Sequence, residues 1–257
     1  MGNHLAEYSE EEFSEKLIDQ LETMVLPVCV SPHEKPRAVL LGGQSGAGKT
    51  TLQHMFFELF NKDVIIVNGD EYRKFHPRFL ALQSAYGDKA VDYTAAWAGK
   101  MTEALVEALS SAGYNLVIEG TLRTSEVPLA SATLLRERGY DVSLALMAVK
   151  PEISLVSCQL RYEQMRIAGT TPRATDPAHH RKIVDQIVSN LAVLEESGMF
   201  DGIYLYNRDR VRLYPQDGLD LPASQVLEEV LFGNWTEAEL AHYRALKSEL
   251  AELQRKG

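Results

Sequence analysis

The sequence predicts an α/β protein whose parallel sheet is covered by helices on both faces. Residues Gly43 to Thr50 read G-Q-S-G-A-G-K-T, a complete Walker A phosphate loop. The loop follows the apolar run Ala38-Val39-Leu40-Leu41 and precedes a helix-periodic stretch, which is the strand–turn–helix setting it requires. Further along, short apolar runs alternate with helical patterns, and that alternation builds parallel sheets. Together these observations make the expected architecture P-loop kinase-like, with functional groups gathered at the carboxyl ends of the strands.

The elements follow in order. Ser9 and Glu12 form a capping box ahead of Phe13, Leu17, Leu21 and Met24 at helical spacing, so a short amphipathic helix opens the chain. It ends before Pro27, and Ser31-Pro32-His33-Glu34-Lys35-Pro36 reads as a linker, giving an N-terminal helical appendage over 1–35. The core is expected over 36–232. A strand at 38–41 leads through the phosphate loop into a helix with Leu52, Met55, Phe56 and Leu59 on one face. A second strand, Val64-Ile65-Ile66-Val67, ends in Asn68-Gly69-Asp70. A helix near 91–112 carries Trp97, Met101, Leu105 and Leu109 and stops at Gly113. The strand Leu116-Val117-Ile118 ends in Glu119-Gly120-Thr121, and Pro128 suits the first turn of a helix closing at Gly139. A strand at 142–149, a helix from Pro151, another near 178–196 and a last strand at 203–206 complete the pattern. Residues 211–222 are turn-rich. Thr236 and Glu239 cap a C-terminal helix within 233–257, whose charges read as a solvated face.

Composition narrows the partners. With 26 Lys and Arg against 36 Asp and Glu, the formal net charge is −10. An acidic surface of this kind argues against nucleic acid as substrate, because phosphate backbones need a basic footprint. No apolar run of about 18 residues is present, so no membrane span is expected. Neither a secretory signal nor a myristoylation signal is visible at the start. Cys29 and Cys158 show no paired spacing and read as buried apolar residues, in keeping with a cytoplasmic protein.

The phosphate loop carries the first chemistry. Gly43, Gly46 and Gly48 permit positive φ, so the backbone N–H groups from Gly43 through Gln44, Ser45, Ala47 and on to Thr51 can crowd around a phosphate. Lys49 is expected to reach the terminal phosphates, and Thr50 to ligate Mg²⁺. Asp70 falls directly after the second strand with Arg73 one turn later; it serves either as a general base or as the N-cap of a helix at 71–75. Glu119, also at a strand end, either orients Mg²⁺ through water or caps a helix. Arg161 and Arg173 flank a breaker-rich segment containing Gly169, Thr170-Thr171 and Pro172. That segment, about 162–178, reads as a closing lid whose guanidinium groups meet a transferring phosphate, or as a loop with two surface arginines.

An ordered set of motifs resembles the zeta-toxin family of bacterial toxin–antitoxin systems, nearest its PezT branch. It comprises L-L-G-G-Q-S-G-A-G-K-T-T (40–51), G-D-E-Y-R-K-F-H-P (69–77), G-Y-N-L-V-I-E-G-T-L-R-T (113–124), R-Y-E (161–163), R-A-T (173–175) and L-Y-N-R (205–208). The resemblance runs from the N-terminal helix to the last helix. It implies a kinase that uses ATP or GTP and Mg²⁺ to phosphorylate the 3′-hydroxyl of the amino sugar of UDP-N-acetylglucosamine, interfering with peptidoglycan synthesis. It implies Asp70 as general base, Lys49, Arg161 and Arg173 as phosphate-stabilising cations, and Thr50 as the metal ligand. Asp70, Arg73, Glu103, Thr121, Arg123 and Ser131 become acceptor-site residues. Ser131 stands where the family often has Thr, and the Arg161–Arg173 segment is slightly shorter than usual. A proteinaceous antitoxin that obstructs the nucleotide site with a helix, packing near the N-terminal helix of the toxin, is a further implication.

The resulting expectation is a UDP-N-acetylglucosamine kinase acting as a toxin. Rival readings are another small-molecule kinase, such as an antibiotic phosphotransferase, and a nucleotide-dependent binding switch. Guanine recognition by Asn61-Lys62-Asp63-Val64 is set aside, because that run lacks Asp at its fourth position and follows the Walker helix too soon.

Overall fold

The computed structural model describes residues 4–25, 30–170, 172, 174–218 and 220–256. Cys29, Thr171 and Arg173 lie outside the described residues.

A six-stranded sheet forms the centre. Its strands are β1 (Arg37–Gly42), β2 (Ile65–Asn68), β3 (Leu116–Glu119), β4 (Asp141–Met147), β5 (Gly202–Tyr206) and β6 (Arg212–Tyr214). Their order is β2-β3-β1-β4-β5-β6, so the strand that feeds the phosphate loop lies in the interior. β1 to β5 pair in parallel, as alternation predicted. β6 departs from that expectation: it runs antiparallel to β5, in a stretch read as turns. Three residues are too few to show a period of two, which is why the strand is silent in the sequence.

Side chains of β1 alternate between two cores. Ala38 and Leu40 face one cluster with α6 (Ala95–Ser111), α7 (Glu126–Glu137) and α9 (Pro177–Glu196), contributing Trp97, Leu105, Leu135 and Leu191. Val39 and Leu41 face the other, with Leu52 and Phe56 of α2 (Lys49–Leu59) and Ile153 of α8 (Pro151–Ile167). Coverage of both faces explains why the strands read as continuous apolar runs. In α2 the expected face holds except at Leu59, which is 61% exposed; Phe60, just beyond the helix, is buried instead. The chain leaves the helix at that point and the next residue turns inward.

The termini are packed rather than loose. The Ser9–Glu12 capping box forms in both directions, opening α1 (Glu10–Val25). Phe13 joins the main core, with Leu17, Leu21 and Met24 packed against it. α10 (Ala223–Phe232) was not foreseen. α11 (Glu237–Lys256) starts at the expected Thr236–Glu239 box and lays Tyr243, Leu246 and Leu250 against α8.

Two boundaries move. The helix expected at 91–112 divides at Thr94 into α5 (Ala90–Tyr93) and α6. The segment expected as a lid over about 162–178 is partly helical, since α8 continues through Ile167 and α9 begins at Pro177, capped by Asp176. Between α2 and α5 lie the four-residue α3 (Gly69–Tyr72) and α4 (Phe79–Tyr86).

Candidate active site at the carboxyl edge of the sheet

Strands β1, β2 and β3 deliver the phosphate loop, Asp70 and Glu119 to the same edge. All three loop glycines have positive φ: 137° at Gly43, 76° at Gly46 and 103° at Gly48. Gly46 is doubly constrained, because a Cβ there would stand 2.1 Å from the Ser154 carbonyl oxygen. Gly48 caps the start of α2 without a side-chain hydrogen bond, and a helix N-terminus of this kind is suited to an anion. Thr50, exposed, and Thr51 stand in that first turn.

Lys49 is buried and curls back on the loop. Its Nζ donates to the Gly43 oxygen at 3.0 Å and the Gln44 oxygen at 3.4 Å, and stands 3.7 Å from the Glu119 carboxylate. Gln53 also donates to Glu119, so the capping alternative for this residue is not what the structure uses. Burial pushes the Glu119 carboxyl above its usual range. Lys49 opposes that shift, Asp70 reinforces it, and Arg161 of α8 opposes it. Lys49, Asp70, Glu119 and Arg161 therefore share one electrostatic site.

Asp70 occupies the second position of α3. The cap belongs to Asn68, whose side chain accepts from the Asp70 N–H at 3.1 Å. The Asp70 carboxylate receives Arg73 Nε at 3.0 Å, and the same guanidinium donates to the Val91 oxygen at 2.6 Å and Thr94 Oγ1 at 3.3 Å. Gly69 allows α3 to approach α6 closely, since a Cβ would meet Thr102 Oγ1 at 2.8 Å. Asp70 is thereby set beside the helix that carries the exposed Glu103. Thr121 and Arg123 lie in the loop after β3, and Ser131 is half-buried on α7.

Side-chain roles behind the loop escaped the sequence reading. Gln44, predicted as a nucleotide contact through its backbone, is fully buried and sends its side chain backwards to the Val149 oxygen at 2.8 Å and Ser154 Oγ at 3.3 Å. Ser154 Oγ is 2.9 Å from His180 Nε2, and the His180 ring also bonds the Ser45 backbone. Burial lowers the His180 pKa below that of a free imidazole. Spacing gave no sign of Ser154 or His180, since each looks like an ordinary helix residue. Arg208 reaches the loop from beyond β5, and its place at a strand's carboxyl end was a usable signal.

The oxygen donors suit Mg²⁺. Thr50 and the Glu119 and Asp70 carboxylates at the same sheet edge offer hard oxygen ligands, and no group of three metal-binding side chains converges among the described residues. Mg²⁺ is characteristically held by one or two protein oxygens together with phosphates and water.

Sheet, phosphate loop and charged edge together define a protein of P-loop kinase-like fold. The profile of the Zeta toxin family matches residues 21–218. Toxin PezT of Streptococcus pneumoniae serotype 4 is 43% identical over 253 residues, covering 98% of this chain and 99% of that protein. Toxin zeta of Enterococcus hirae is 40% identical over 203 residues, covering 79% of this chain and 70% of its own length. A solved structure of the chromosomal PezAT toxin–antitoxin system of Streptococcus pneumoniae aligns with a TM-score of 0.88 at 40% identity, over 98% of this chain and 100% of that one. The chain belongs to the zeta toxin family, the toxins of toxin–antitoxin systems.

Proposed function

We propose that this protein is a Mg²⁺-dependent kinase that transfers the γ-phosphoryl group of ATP or GTP to the 3′-hydroxyl of the amino sugar of UDP-N-acetylglucosamine. The observation that carries the kinase reading is the phosphate loop, with its positive-φ glycines and uncapped helix N-terminus, set where buried Lys49 stands 3.7 Å from the Glu119 carboxylate. The acceptor rests on the family resemblance. Lys49 leaves the Gly43 and Gln44 carbonyls and pairs with the incoming phosphates. Asp70 takes the proton of the acceptor hydroxyl as its oxygen bonds to the γ-phosphorus, while the bond to the β–γ bridging oxygen breaks and the nucleoside diphosphate departs. Arg161, and Arg173 from across the lid, meet the charge spread over the transferring group. Thr50, with Glu119 acting through water, would hold Mg²⁺, which neutralises phosphate charge when bound. Glu103, Thr121, Arg123 and Ser131 orient the acceptor, with Arg123 suited to its diphosphate.

Mass spectrometry of the nucleotides after incubation with ATP, Mg²⁺ and UDP-N-acetylglucosamine tests the reading. One added phosphoryl group on the sugar is expected, with UDP alone a poor acceptor. Equal phosphorylation of an aminoglycoside or chloramphenicol would establish the antibiotic-kinase rival instead. Lys49→Ala is expected to abolish both nucleotide binding and transfer. Asp70→Asn retains shape and substrate binding but loses about 10²–10⁴-fold in rate; near wild-type turnover would reject the base.

A protein antitoxin is the proposed partner, as in the PezAT system, and a cytoplasmic setting follows from a nucleotide-sugar acceptor. Because the stripe Phe13, Leu17, Leu21 and Met24 is spent on the toxin's own core, any antitoxin contact near α1 uses its outer face. ATP titrated against the purified complex should bind far more weakly than to the free toxin. Equal affinity would refute steric inhibition.

A further inference from the structure

The phosphate loop is braced from behind by a cation other than Lys49. Arg208 lies two residues past the end of β5. Its stem runs along Gly48, where a Cβ would stand 3.7 Å from Arg208 Cγ. Nε donates to the Ala47 oxygen at 3.2 Å. Nη2 donates to the Gly46 oxygen and to Ser157 Oγ of α8, the latter at 2.8 Å. Nη1 faces His242 Nε2 of α11 at 3.3 Å. A guanidinium has five N–H donors in a fixed fork, and four of them are engaged here.

The geometry matters because a nest of N–H groups holds an anion only while its carbonyls stay turned away. Two cations divide those carbonyls. Lys49 holds the Gly43 and Gln44 oxygens, and must release them to reach a phosphate. Arg208 holds the Gly46 and Ala47 oxygens. Half-buried and anchored to two helices, it has no comparable freedom to leave.

We propose that Arg208 is a positioning residue for nucleotide binding. It fixes the carbonyl side of Gly46 and Ala47, so that the loop's N–H groups are aimed before a nucleotide arrives. Through His242 the same contact makes α11 part of the nucleotide site, although α11 lies outside the residues that the Zeta toxin profile matches. Arg208 does not itself touch phosphate, which separates it from the lid arginines. The inference rests on the nucleotide-binding reading above.

The test measures the affinity of folded protein for a fluorescent ATP analogue with Mg²⁺, beside the melting temperature of the free protein. Arg208→Ala is expected to weaken binding about tenfold or more, the loss proper to removing charge-assisted hydrogen bonds. Arg208→Lys should recover part of it, because one ammonium can serve a single carbonyl but not the fork. His242→Ala, which removes only an exposed contact, should cost roughly twofold. A purely structural Arg208 would lower the melting temperature and leave the affinity of the folded fraction unchanged, and that outcome overturns the proposal. If Arg208→Ala does not fold, Arg208→Lys decides: wild-type affinity in that variant rejects the idea. Wild-type protein that binds no nucleotide would instead remove the parent reading.

Discussion

Glu119 is held in two opposed environments, and its behaviour with pH follows from which one wins. Burial destabilises its ionised form, Asp70 adds to that, and Lys49 with Arg161 compensates only in part, leaving the carboxyl pKa above its ordinary 4.5. An acid raised in the folded state costs stability above its folded pKa, and the cost is relieved as pH falls through that value. Glu119→Gln keeps the shape and removes the charge. The free variant should therefore melt no lower than wild type at pH 8, with any difference narrowing as the pH approaches 4.5. Phosphoryl transfer should nevertheless fall, because Lys49 loses its acidic neighbour and, under the proposed function, Mg²⁺ loses a water-bridged partner. Melting curves across pH, paired with initial rates, check both halves; a variant that is less stable at high pH would reverse the sign assigned to burial.

At the scale of elements, the strand–loop–helix unit tolerates no side chain at Gly46. An alanine Cβ would strike the backbone oxygen of Ser154, which no rotamer change relieves, and φ of 76° is strained for any L-residue. Gly46→Ala is expected to abolish nucleotide binding and to cost at least about 1–3 kcal/mol in stability. Gly139→Ala supplies the contrast: φ is 79°, but nothing lies within 4 Å. It should cost about 1 kcal/mol and leave turnover intact. Thermal melts and ATP titrations of the pair separate crowding from backbone strain. On α8, Arg161 is exposed, and the proposed function gives it a role in stabilising the transferring phosphate. Arg161→Ala should lower kcat by roughly 10³-fold while leaving KM for ATP nearly unchanged. A change confined to KM would make it a binding residue.

At the scale of the whole molecule, the four-residue α3 that carries Asp70 is too short to hold its own position and depends on what packs against it. Trp97 supplies much of that support. It is fully buried on α6, and its indole N–H donates to the Tyr72 oxygen of α3 at 3.0 Å. Its ring also meets Tyr8, Phe13 and His76 edge-on, tying α1 into the same cluster. Trp97→Ala should cost about 3–5 kcal/mol in chemical denaturation. Trp97→Phe keeps most of the apolar volume and loses the hydrogen bond. Its effect on turnover should exceed its effect on stability if α3 is positioned through that bond, and parallel effects would count against this coupling.

What the chain determined unaided was whatever local pattern encodes. Helix periodicity marked Trp97, Met101, Leu105 and Leu109 as one buried face, and all four are fully buried. Ser9 with Glu12 and Thr236 with Glu239 announced two helix starts by residue type and spacing. The Walker A run specified the loop, since its glycines meet a backbone requirement that sequence states directly. Residues that act across the fold carried no such mark. Asp70 and Asn68 both suit a cap, and only the packed α3 turn assigned that task to Asn68. Ser154 and His180 are far from the loop in sequence, and folding brings them behind it. Glu119 was legible as a strand-end carboxylate, but its raised pKa depends on burial, reinforced by Asp70 and opposed by Lys49 and Arg161. Periodicity and capping are properties of neighbours along the chain, whereas desolvation, close approach and long-range hydrogen bonds exist only once the chain has packed.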